Sequence, residues 1–127
     1  MSKCLIPHVK QEVLDIVRAA VNDQKSIDVI GLGSKRLWGR PNETIELMDL
    51  SRLSQVTLYE PQELVLTADA GTPIKDIREI LAENEQLLAF EPPDFSLLYG
   101  GSNGSGTLGG IIATNLSGPR RIQSGAA

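Results

Sequence analysis

Ser26-Ile27-Asp28-Val29-Ile30-Gly31-Leu32-Gly33-Ser34-Lys35-Arg36 is a β-branched run that stops at a pair of glycines. Ile27, Val29 and Ile30 favour extended backbone, so the run predicts a strand entering a buried sheet. The glycines let the chain turn sharply and aim successive N–H groups into one concavity, a shape that suits a phosphate. Ser34 adds a hydroxyl, and Lys35, Arg36 and Arg40 add compensating charge. The pattern is not a dinucleotide fingerprint, because Arg36 occupies the third glycine position. Nor is it a Walker A loop, because no glycine precedes a Lys-Ser or Lys-Thr pair at the right spacing. An ordinary strand-ending turn and a phosphate cradle both fit.

Upstream, Val9, Val13, Leu14, Val17, Ala20 and Val21 recur at helical spacing, with Pro7 before them and Asn22-Asp23 as a stop. Downstream, a polar loop through Gly39 and Asn42 leads to a second strand, Thr44 to Asp49. Gln55–Glu60 and Leu64–Ala68 flank Pro61-Gln62-Glu63 and read as a hairpin. At Gly71-Thr72-Pro73 a helix is expected, with Thr72 as N-cap, Pro73 in the first helical position, and Ile74, Ile77, Ile80 and Leu81 on its apolar face. Leu87 to Phe90 reads as another short strand before the break at Glu91-Pro92-Pro93-Asp94. Tyr99 to Gly106 is a loop, and Thr107 to Asn115 a short helix or turn. From Gly118 to Ala127 no closing strand or helix is expected, and such an end frays. A helix–strand–loop–strand order favours an α/β or α+β arrangement.

The 127 residues fit one domain or a piece of a larger one, with 41% hydrophobic and 22% charged residues, an ordinary globular mix. A net charge of −4 argues against nucleic acid, which needs a basic face. No apolar run approaches the roughly 20 residues of a membrane span, and the start does not read as a secretory signal. A single cysteine makes a reducing cytoplasm the default compartment.

Seven of the twelve glycines fall between Gly100 and Gly118. In Gly106-Thr107-Leu108-Gly109-Gly110-Ile111-Ile112-Ala113-Thr114-Asn115, small residues allow close approach to a flat ligand or to another backbone segment. Thr107, Thr114 and Asn115 offer polar contacts. Close helix–sheet packing is the plainer reading of the same glycines. Pro92-Pro93-Asp94 is rigid and extended, and serves either as a wall beside a ring system or as a surface turn. His8 is the only histidine, which excludes a multi-histidine metal site, and near a helix start it reads as solvated. Cys4 has no activating neighbour in sequence. Trp38 reads as core cover, and Asp15/Arg18 and Asp76/Glu79/Glu83 as solvated helix faces.

In order, the strand into Gly31–Lys35, Leu47-Met48-Asp49-Leu50-Ser51-Arg52-Leu53, Pro61 through Pro73, and Thr107-Leu108-Gly109-Gly110 with Ala113-Thr114-Asn115 and Gly118-Pro119 resemble the FAD-binding type 2 domain. This is the PCMH-type class of flavoproteins related to vanillyl-alcohol oxidase. Glu91-Pro92-Pro93-Asp94, Gly118-Pro119-Arg120-Arg121 and Ser124-Gly125 are most similar to the FAD-binding E subunits of bacterial glycolate oxidases. The resemblance implies an α+β fold. A small βαβ-like subdomain would span about residues 1–54, and the start of a second, mixed or antiparallel subdomain about 55–127.

The same resemblance implies FAD as cofactor. Gly31, Leu32, Gly33, Ser34, Lys35 and Arg36 match the pyrophosphate loop. Pro92, Pro93 and Asp94 match a segment approaching the flavin. Thr107, Gly109, Gly110, Thr114, Asn115, Gly118 and Pro119 match the stretch along the ribityl chain and isoalloxazine ring. The implied chemistry is oxidation of a 2-hydroxy acid to a 2-oxo acid, glycolate to glyoxylate for the glycolate oxidase subunits that it resembles. D-lactate dehydrogenases and sugar-alcohol oxidases share the class, and a non-catalytic nucleotide-binding, phosphate-binding or subunit-docking piece is the reading from outside it. The implied partners are a FAD-binding D subunit and an iron–sulfur subunit, in the cytoplasm or peripherally at the inner face of the cell membrane. Members of the class continue well beyond this length. The chain therefore reads as cut within a larger fold, inactive alone, binding FAD weakly or not at all and prone to self-association, and no catalytic residue is assigned.

Overall fold

A computed structural model of the protein describes residues 3–36, 46–95 and 106–126. Arg40, Trp38, the loop through Gly39 and Asn42, the first residues of the expected second strand, and most of the Tyr99–Gly106 loop lie outside the described residues.

Two small sheets organise the described residues. Strands β1 (Lys3–Leu5) and β2 (Ile27–Ile30) both pair in parallel with β3 (Glu46–Asp49), giving the order β1-β3-β2. Helix α1 (Lys10–Asn22) connects the two outer strands, the kind of crossover that parallel pairing requires. Met48, at the middle of the sheet, is buried between Leu5 and Val29 in register. Strand β1 was not expected from the sequence; Lys3-Cys4-Leu5 is a strand because β3 pairs with it.

The expected single stripe on α1 divides into two. Ala20 is buried, with Val13 and Ile16 half-buried beside it, whereas Val9, Leu14, Val17 and Val21 are exposed. At about 100° per residue, Leu14, Val17 and Val21 fall roughly a quarter-turn away from the Val13–Ile16–Ala20 line.

Strands β4 (Val56–Glu60) and β5 (Val65–Ala68) form the expected antiparallel hairpin around a 3₁₀ turn at Pro61–Glu63, with a register shift between Val56 and Leu58. Its inner face, Val56, Tyr59, Leu66 and Ala68, packs on a core of Ile74, Ile77 and Leu81 from α2 (Ile74–Ala82) and Ile111 from α3 (Leu108–Thr114). The Gln86 side chain pins the hairpin to the end of α2, accepting from Tyr59 Oη at 2.8 Å and donating to the Pro61 carbonyl at 2.7 Å.

Three expectations are corrected here. Helix α2 is capped by Pro73, not Thr72: Thr72 is buried and its hydroxyl donates to the Gln55 carbonyl at 3.4 Å. Leu87 to Phe90 is not a strand. Leu88 and Phe90 face the core from a turn, the Phe90 carbonyl accepts from Gly118 N–H at 2.8 Å, and no strand pairs with the segment among the described residues. Beyond Gly118 the chain forms a further short helix, α4 (Arg121–Ser124), fastened by Ser124 Oγ donating to the Ala89 carbonyl at 2.8 Å.

Candidate functional site

The sequence Ala70-Gly71-Thr72-Pro73 brings the two glycine motifs together. Gly71 lies where the hairpin returns to the parallel sheet, its N–H bonded to the Leu53 carbonyl at 2.9 Å. A Cβ there would come within 1.9 Å of the Leu50 carbonyl oxygen, so only glycine fits. Immediately after it, the start of α3 is laid alongside. Gly109 N–H donates to Ala70 O (2.8 Å), Leu108 N–H to Thr72 O (2.9 Å), and Ile74 N–H to Gly106 O (3.0 Å). A Cβ on Gly109 would sit 2.9 Å from Ala70. The close-packing reading therefore holds for Gly109.

This arrangement carries Thr107, the N-cap of α3, onto the loop that ends β2. Its hydroxyl accepts from Gly110 N–H at 3.3 Å. The same hydroxyl fills the space beside Gly31, 2.6 Å from where a Cβ would be. Gly31 through Arg36, with Asp28, Thr107, Gly110, Ala113 and Thr114, then line one open cleft of about 370 Å³. Gly33 has φ +71°, the left-handed region that favours glycine, and the turn closes with Arg36 N–H on the Gly33 carbonyl at 3.3 Å. Among the described residues, the N–H groups of Gly33, Ser34 and Lys35 donate to no protein acceptor. Free backbone donors at a glycine turn fit a bound anion.

Lys35 lies at the centre. Half-buried, its Nζ reaches Ser34 Oγ at 3.5 Å and lies 3.4 Å and 3.7 Å from where Cβ atoms on Gly106 and Gly110 would be. Burial pulls its pKa below the ordinary lysine value, and the nearby Asp94 carboxylate partly offsets that. Arg36 turns away, its guanidinium 3.8 Å from Asp28 across the mouth of the cleft. A narrower recess continues past Ser34 and Lys35, bounded by Pro92, Pro93, Asp94, Gly106, Ile74 and Arg78.

Twelve of the sixteen residues singled out in the sequence thus line the cleft or its recess: Gly31 to Arg36, Pro92 to Asp94, Thr107, Gly110 and Thr114. Four lie elsewhere. Gly109 packs on Ala70, and Asn115 ends α3 in the left-handed conformation at φ +50°. Gly118 abuts Glu91, and Pro119 follows it toward α4. Arg78 and Asp28 were not foreseen; each is a charged residue on an otherwise unremarkable element. His8 and Cys4 are exposed and do not line the cleft. Among the described residues no cluster of histidine, cysteine and carboxylate groups could hold a metal ion, and no helix is long and apolar enough to cross a membrane.

Comparison with known proteins gives three results. Residues 2–127 match a family described as "FAD binding domain". Over 116 residues the chain is 35% identical to glycolate oxidase subunit GlcE of Escherichia coli (strain K12), covering 91% of this chain and 31% of that protein. Among solved structures, an alkyldihydroxyacetonephosphate synthase superposes with a TM-score of 0.73 at 22% identity, over 97% of this chain and 24% of that one. Aclacinomycin oxidoreductase follows with 0.66 at 18%, over 97% and 23%. At those identities the two structures speak for the fold. The chain spans under a third of the length of each of these proteins.

Proposed function

Since this chain belongs to the family of FAD-binding domains and its cofactor is FAD, we propose that it forms the diphosphate-binding part of an FAD-linked oxidoreductase acting on 2-hydroxy acids. The observation that carries this reading is the meeting of the Gly31–Arg36 turn with Thr107 and Gly110 around the Lys35 ammonium. Unbonded N–H groups at Gly33, Ser34 and Lys35 would take the diphosphate oxygens, and Lys35 would balance their charge. Gly110 keeps the floor low enough for phosphate and ribityl groups to lie against backbone, while Gly31 makes room for the Thr107 hydroxyl that joins the turn to α3. Pro92, Pro93 and Asp94 would wall the flavin end, where two prolines give a surface with few donors and little freedom to move.

When bound, FAD supplies the two-electron acceptor that these side chains lack. The 2-hydroxy acid substrate gives up its α-hydrogen with an electron pair and its hydroxyl proton, leaving a 2-oxo acid. Residues of this chain hold and orient; none is assigned to move that proton. The choice of glycolate as substrate, and assembly with other glycolate oxidase subunits, rest on the 35% identity to GlcE; a place in the cytoplasm or at its membrane face is part of the same proposal. The division near residue 54 would make the parallel sheet one wall of the site and the remainder the other.

Anaerobic addition of glycolate, D-lactate and a simple sugar alcohol to the FAD-loaded protein in its full assembly tests the substrate class. Bleaching of the visible flavin band by the hydroxy acids alone is expected. Bleaching by the sugar alcohol alone would reject it.

A further inference from the structure

Pro92 and Pro93 have no N–H, so these two residues of the recess wall are not held by backbone donors of their own. The residue before it is also unusual. Glu91 has φ +49°, left-handed backbone for a non-glycine residue that a following proline would ordinarily push into extended conformation. Such a residue persists only where its surroundings enforce it. One side of the enforcement comes from the C-terminal segment: Arg120 pairs with Glu91 Oε1 at 3.2 Å, and Arg120 N–H donates to Glu91 Oε2 at 3.2 Å. Those bonds stop at Glu91.

Arg78 reaches Pro92 itself. Its Nη2 donates to the Pro92 carbonyl at 2.7 Å, a short, charge-assisted bond. The arginine springs from α2 beside the fully buried Ile77, so its root is as fixed as the core. It also stands between two hollows, lining the recess with Lys35 and Asp94 on one side and a cavity of about 410 Å³ with Gln86, Leu87 and Arg120 on the other. A shift of Pro92 would therefore move Pro93 and Asp94 relative to Lys35.

We infer that Arg78 is the positioning residue of the Pro92–Asp94 wall, transmitting the rigidity of α2 to the flavin end of the cleft. The consequence for FAD rests on the function proposed above; the anchoring itself does not. Amide hydrogen exchange of the FAD-free protein decides the anchoring. In Arg78→Gln, exchange at Glu91 and Asp94 is expected to quicken about tenfold, the scale of one lost charged hydrogen bond, with α2 unchanged and Arg78→Lys in between. Unchanged exchange at Glu91 and Asp94, or equal loss of protection throughout α2, would overturn it.

Flavin titration then reads the consequence. Arg78→Gln is expected to weaken FAD binding about tenfold and to shift the visible flavin band, with Arg78→Lys recovering most of both. Wild-type affinity and spectrum in Arg78→Gln would overturn the link to the cofactor. A wild-type protein that takes up no FAD even in its full assembly would instead reject the proposed function, while the exchange data would still decide the anchor.

Discussion

Lys35 is a cation held partly out of water, a cost that the nearby Asp94 carboxylate partly offsets. A diphosphate beside it would favour its charged form and raise its pKa again. Binding then takes up a proton at any pH where the free lysine has already lost one. FAD affinity is therefore expected to be flat at neutral pH. It should fall on the alkaline side, by at most about tenfold per pH unit, once the pH passes the lowered pKa of Lys35. Fluorescence titration across pH measures it. Lys35→Met should bind more weakly at neutral pH and lose the alkaline slope; a slope that survives the substitution would assign it to another group. Two positions earlier, Gly33→Val forces a β-branched side chain into left-handed backbone at φ +71°, at a local cost of about 1–2 kcal/mol. It should lower FAD retention by about tenfold or more while lowering the melting temperature by no more than about 10 °C. Cofactor content after gel filtration is the measurement.

At the scale of elements, the Ala70–Pro73 corner fixes where α3 begins, and so whether the two halves of the cleft meet. Gly71→Ala places a methyl group on the Leu50 carbonyl, and a loss of about 3 kcal/mol in urea unfolding is expected. Much of this level was legible beforehand. The β-branched run before Gly31, the hairpin around Pro61, and the Ile74–Leu81 face of α2 are local patterns with local causes. What escaped was decided at a distance. Lys3-Cys4-Leu5 shows no strand signature, and β3 makes it one. Leu87 to Phe90 is apolar enough for a strand, yet the Phe90 and Ala89 carbonyls go to a glycine and a serine of the C-terminal segment and the Leu88 carbonyl to Glu91 N–H. Thr72 has the composition of a cap but is swallowed by the corner. The glycines of the cleft could be read because close approach demands them; Arg78 could not, since its importance comes from a carbonyl fourteen residues away.

For the whole molecule, the apolar surface is divided unequally. Around α2 the core is closed, whereas α1 keeps a second line of Leu14, Val17 and Val21 in solvent, the last 70% exposed. Replacing Leu14 and Val17 together by glutamine should change unfolding free energy by no more than about 0.5 kcal/mol, the usual range for surface sites. Ala20→Leu, at the buried position of the same helix, should cost about 1–3 kcal/mol. Thermal melts of the two variants distinguish a helix with one packed side from a helix packed all round. The order of the parallel sheet has a different consequence, for the newborn chain. Its central strand is the last of the three to leave the ribosome. Until then its two outer neighbours have no lateral partner in that sheet. The lobe is committed to waiting for Met48 before it can lock, and the nascent turn at Gly31 emerges before the sheet that will hold it is complete.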